Sequence, residues 1–104
     1  MNIEEAIAKV VEKYTTLEES EKDGLKAVWV HETDHAGSYE VDEEWIGVTK
    51  TGSIAWAYAS GCSCWDGSYE THEHTPDTLK AFTFNHEDMK AEWEKKIIEY
   101  AESL

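Results

Sequence analysis

Ile54-Ala55-Trp56-Ala57-Tyr58-Ala59-Ser60 decides the fold. Large apolar side chains alternate with alanine at a period of two, which is the signature of a strand and not of a helix. Ile54, Trp56 and Tyr58 share one face, and Ala55, Ala57 and Ala59 line the other. An alanine face lets a helix or a neighbouring backbone approach closely, so this strand is expected to lie centrally in a sheet. Upstream, Glu44–Thr49 reads as its hairpin partner across Lys50-Thr51-Gly52-Ser53, a short turn with glycine where a positive φ is expected. Further out, Lys26–His31 reads as a strand with Val28 and Val30 on one face and Trp29 on the other. Downstream, Asp66-Gly67 marks a turn, and Leu79–Phe84 after Pro76 reads as a last strand.

Both ends of the chain change to a helical period. Ile3, Ala6, Ile7, Val10, Val11 and Tyr14 form one apolar stripe, with Glu5 and Lys9 placed as an i,i+4 pair. Asn85 is the expected N-cap of a second helix, with Glu87 and Asp88 in its first turn. Its stripe is Met89, Trp93, Ile97, Tyr100 and Leu104, joined by Ile98 and Ala101. The expectation is a single α+β domain over residues 1–104, an antiparallel sheet of four or five strands flanked by N- and C-terminal helices.

Charge bounds the function. The chain has 23 acidic residues, nine lysines and no arginine, for a formal charge of −14. Residues 27–79 hold ten of the acids against one lysine, Lys50, whereas the two end segments nearly balance themselves. Such a field disfavours direct binding to nucleic acid or to anionic membranes, and favours basic protein partners. No apolar run approaches a membrane span, and the start lacks a basic leader region, so the expected location is the cytoplasm, with thiols reduced.

Two motifs carry metal-type chemistry. His31-Glu32-Thr33-Asp34-His35 spells H-E-x-x-H and resembles the zincin metallopeptidases. That resemblance implies His31 and His35 as zinc ligands and Glu32 as general base. It requires a helix, for which Leu25–Ala36 capped by Gly37 is the alternative reading. On a strand the two histidines would stand about 13 Å apart, too far for one metal. The residues three and six beyond His35 are Ser38 and Val41, where one zincin branch needs glycine and histidine.

The second motif pairs Cys62 and Cys64 with His72 and His74, each an i,i+2 pair on one strand face. A two-residue turn at Asp66-Gly67 sets Cys62 opposite Thr71; a three-residue turn through Ser68 sets it opposite His72 and permits a small zinc module. Free thiols packed beside Trp65, with no cofactor, are the plainer expectation. Gly61-Cys62-Ser63-Cys64-Trp65-Asp66-Gly67 also resembles a turn in small uncharacterised proteins of phage and bacterial origin, which implies no activity.

The acids themselves form the third constellation: Glu32, Asp34, Glu40, Asp42, Glu43 and Glu44, then Asp66, Glu70, Glu73 and Asp77. Alternate residues on one strand face lie about 6.7 Å apart. DNA carries one charge per ~3.4 Å on each strand, so two neighbouring acidic segments approximate phosphate density. The expected function is therefore non-enzymatic: a nucleic-acid mimic that occludes the groove of a basic nucleic-acid-binding protein such as a defence nuclease. In size and charge the chain resembles phage-encoded anti-CRISPR and anti-restriction inhibitors. A homo-oligomer is compatible with this reading. The alternative is the zinc module, and an H-E-x-x-H hydrolase ranks below both.

Overall fold

A computed structural model describes residues 1–14, 21–22, 25–32, 41–61 and 70–104. The chain is α+β, with an antiparallel sheet and helices at both ends. Helix α1 (Ile3–Glu12) leads into strands β1 (Glu21–Lys22), β2 (Leu25–Glu32), β3 (Val41–Val48), β4 (Ile54–Gly61) and β5 (Glu70–His74). Helices α2 (Pro76–Lys80) and α3 (Glu87–Glu102) follow. The sheet runs in chain order, β1-β2-β3-β4-β5, with every neighbour antiparallel. The eight-residue strands β2, β3 and β4 form its body, and β1 and β5 lie at its edges.

The β3–β4 hairpin follows from its turn chemistry. Thr49 N donates to Ser53 O at 3.0 Å, and Gly52 N donates to Thr49 O at 3.1 Å. Gly52 has φ 91°, the left-handed conformation that closes a three-residue loop with a glycine bulge. This register sets Val48 opposite Ile54, Ile46 opposite Trp56 and Glu44 opposite Tyr58. Between β2 and β3 a bulge falls between Ala27 and Trp29, so Val28 leaves the strict alternation and packs against the core.

Ile46, Val48 and Ile54 meet Ile3, Ala6, Ile7 and Val10 of α1 and Met89, Trp93, Ile97 and Ala101 of α3. These are the helical stripes expected from the sequence. The helices lie on the Ile54 face and not on the alanine face. Ala55, Ala57 and Ala59 are nonetheless buried, and Trp45 stands directly opposite Ala57. Residues 54–57 and Ala59 are thus withdrawn from water on both faces of β4.

Local details depart from expectation. Glu5 does not pair with Lys9; it closes a capping box with Asn2, whose Oδ1 accepts from Glu5 N at 2.8 Å. The last strand expected at Leu79–Phe84 is not formed. Thr75 caps a short helix through Thr78, Pro76 takes its first position and Asp77 its first turn, so Leu79 is buried from a helix. Among the described residues no helix is long and apolar enough to cross a membrane.

Candidate functional site

The alternation that puts Ile46 and Val48 on the helix side of β3 puts Glu44 there too, and Glu44 is fully buried. Its carboxylate is met on every side by donors. Trp56 Nε1 donates to Oε2 at 2.7 Å, and Asn85 N donates to the same oxygen at 2.9 Å. His86 N donates to Oε1 at 3.0 Å, and His86 Nδ1 lies 2.9 Å from it. An ionised carboxylate is an acceptor only, and this arrangement satisfies it. It also stands at the N-terminus of α3, where the helix dipole favours an anion.

This replaces two expectations. Glu44 is not part of a surface, so it leaves the acidic partner-binding set. Asn85 does not cap α3; its backbone and side-chain amides face Glu44, and the N-cap is His86 with no side-chain cap bond. The histidine is committed elsewhere: its Nε2 lies 3.3 Å from Asp42 Oδ2. A neutral imidazole has one N–H, so acceptors at both nitrogens are satisfied together only by the imidazolium. Burial lowers the His86 pKa, but hydrogen bonds to Glu44 and Asp42, and their charges, outweigh it and raise the pKa above 6.5. With both nitrogens engaged, His86 clamps α3 to β3.

The remaining acids separate into places. Glu70 and Glu73 are exposed on β5, three residues apart and hence on opposite faces of that edge strand. Glu70 Oε1 lies 2.9 Å from His72 Nε2, and Glu73 accepts from Ser53 Oγ at 2.8 Å. Asp77 is exposed in the first turn of α2. Asp42 and Glu43 are half-buried on β3, and the register sets Glu32 opposite Glu43. Asp34, Glu40 and Asp66 lie outside the described residues. The described acids do not form one flat stripe.

The metal motifs fare differently. His31 and Glu32 belong to β2, so the helical reading of Leu25–Ala36 is overturned, and with it the shared helix face that zinc ligation needs. His35 lies outside the described residues, as do Cys62 and Cys64. On β5, Thr71 faces Ala57 and His72 faces Trp56, and the register expected for Cys62 falls outside the described residues. The His72 ring stacks on Trp56 at 5.5 Å, and His74 packs on Phe82 at 4.6 Å. Burial, then the neighbouring His72, lowers the His74 pKa. Among the described residues no three histidine, cysteine or acidic side chains converge as a metal set.

Sequence reasoning missed Glu44, Trp56, Asn85 and His86 as one unit. A signal existed for Glu44, which is in phase with Ile46 and Val48; none existed for its donors some forty residues on. In comparison with known proteins, no family model, no curated protein and no solved structure matches this chain.

Proposed function

We propose that this chain is a non-enzymatic acidic binding domain that engages a basic, nucleic-acid-handling protein and occludes its groove, with a defence nuclease as the partner class. What carries the reading is the placement of charge at one sheet edge. Glu70, Glu73 and Asp77 are exposed in succession along β5 and α2, and residues 51–79 contain no lysine. Carboxylates on both faces of an edge strand present charge through a wide angle, as a groove lined by lysine and arginine requires. Edge strands are more often blunted by lysine, which this edge lacks. Glu43 extends the field along β3, whereas Asp42 and Glu44 hold His86 and take no part.

The test is capture of partners from bacterial lysate at about 50 and 200 mM salt, a range over which a multi-phosphate mimic should lose most of its affinity. Replacing Glu70, Glu73 and Asp77 by their amides should weaken capture about tenfold or more. The same change at Glu94, Glu99 and Glu102 on α3 should alter it by less than about threefold. Equal losses in the two triple variants would refute the edge as the contact.

A further inference from the structure

Helix α1 and the β3–β4 turn border an open groove of about 510 Å³ that reaches Pro76, beside the acidic edge. That volume lies in the range of binding clefts, roughly 300–1,000 Å³. Its floor is apolar: Ile7, Ala8 and Val11 from α1, Gly52 from the turn, and Pro76 at one end. Gly52 keeps the floor open, because the turn backbone lies beside Ile7 and Val11 without a side chain of its own. A Cβ there would reach ordinary contact, 3.8 Å from Val11 Cγ2 and 3.9 Å from Ile7 Cγ2.

The rim is acidic. Glu4, Ala8 and Glu12 fall at i, i+4 and i+8, one row along the helix, so the two carboxylates stand about 12 Å apart with the alanine between them. None of the lining residues is basic. Among the described residues neither Glu4 nor Glu12 has a hydrogen-bond or ion-pair partner, in contrast to Glu5, which accepts from Asn2 N. The outer face of α3 differs: there Lys95 already answers Glu99 at 3.7 Å.

We propose that this groove seats an amphipathic basic helix of a partner protein. One apolar side chain rests on Ala8 and Val11, and a lysine or arginine at each end meets Glu4 and Glu12. Cations about 12 Å apart correspond to two helical turns, positions i and i+7 or i+8, with the apolar anchor at i+3 or i+4. A polyproline-II peptide would need an aromatic-lined groove, which this lining does not supply, and a peptide added as a β-strand would need an open strand edge to pair with. The groove offers none, since Thr49 N and Gly52 N are already bonded within the turn. The inference rests on the reading of the chain as a binder of basic proteins and gives that reading a second contact.

The probe is a blocked helical peptide of about four turns, with a leucine stripe flanked by lysines at i and i+7, titrated into the full ¹⁵N-labelled chain. Shift changes should centre on Ala8, Val11 and Gly52. Affinity should fall about tenfold in Glu4→Gln/Glu12→Gln and in Ala8→Arg, which fills and neutralises the groove. It should hold in Glu99→Gln/Glu102→Gln, and a leucine-to-serine peptide should not bind. Shifts scattered over the acidic surface, equal losses in both double variants, or equal binding by the serine peptide would each overturn the groove. So would the same shifts on raising protein concentration without peptide, which would assign the face to a second copy. If Ala8→Arg leaves lysate capture intact while the Glu70, Glu73 and Asp77 triple abolishes it, the groove fails and the edge reading stands. If neither variant changes capture, both fail.

Discussion

Glu44 should account for a larger share of the stability than any exposed acid, because removing it leaves the buried Trp56 Nε1 and the half-buried His86 without their shared acceptor. Glu44→Ala should cost roughly 3–5 kcal/mol in urea unfolding, whereas Glu94→Ala should stay within about 0.5 kcal/mol. A Glu44→Ala loss under about 1 kcal/mol would mean the donors find water instead. Among the described residues, His86 and His74 pull the pH response in opposite directions. His86 is raised, its burial outweighed by the hydrogen bonds and charges of Glu44 and Asp42, so its contribution is complete below 6.5 and is lost as pH climbs through the folded value. His74 is lowered, by burial and then by His72, so its contribution is complete above 6.5 and is lost as pH drops through the folded value. The urea midpoint should therefore peak close to pH 6.5. His86→Gln should flatten the alkaline side and His74→Gln the acidic side; a wild-type midpoint level from about pH 5 to 8 would contradict both assignments. Little of this could be read in advance. A buried glutamate looks like any other acid until the chain some forty residues later supplies its partners.

Elements were more legible than residues wherever the local signals agreed. In β4 the alternation, the length and the flanking turn all specify a strand, and Gly52 adopts the positive φ that the hairpin needs. Because a Cβ at Gly52 meets no clash, Gly52→Ala isolates the backbone cost and should destabilise by about 1–2 kcal/mol. Gly52→Asn should cost less, since asparagine tolerates that region. Where signals conflicted, the cap prevailed over the alternation. Phe82-Thr83-Phe84 has strand periodicity, yet Thr75-Pro76-Asp77-Thr78 just before it carries helix-start chemistry, and α2 forms. Thr75→Ala should accordingly cost about 1 kcal/mol, read by thermal unfolding. The start of α3 was misplaced by one residue for a tertiary reason: Asn85 had the better cap side chain, but its amides were claimed by Glu44.

For the whole molecule, composition indicated a solvated acidic domain with two amphipathic helices, and the structure shows where the charge sits. Among the described residues acids stand at a sheet edge, on the rim of an α1 groove, along α3 and in the Glu44 clamp, with different consequences for binding and stability. One feature of the architecture also bears on how the chain acquires its form. The strands succeed one another in space as they do in sequence, so each hairpin closes a short loop, whereas α1 and α3 meet only after the two ends of the chain come together. The clamp from Glu44 to His86 likewise bridges 42 positions. Short loops close at less entropic cost, so the meander should be assembled at the rate-limiting barrier and the helices should dock after it. In stopped-flow experiments Gly52→Ala should then slow refolding, while Glu44→Ala should act chiefly by hastening unfolding. The sheet would govern how fast this protein forms, and the helix clamp how long it lasts.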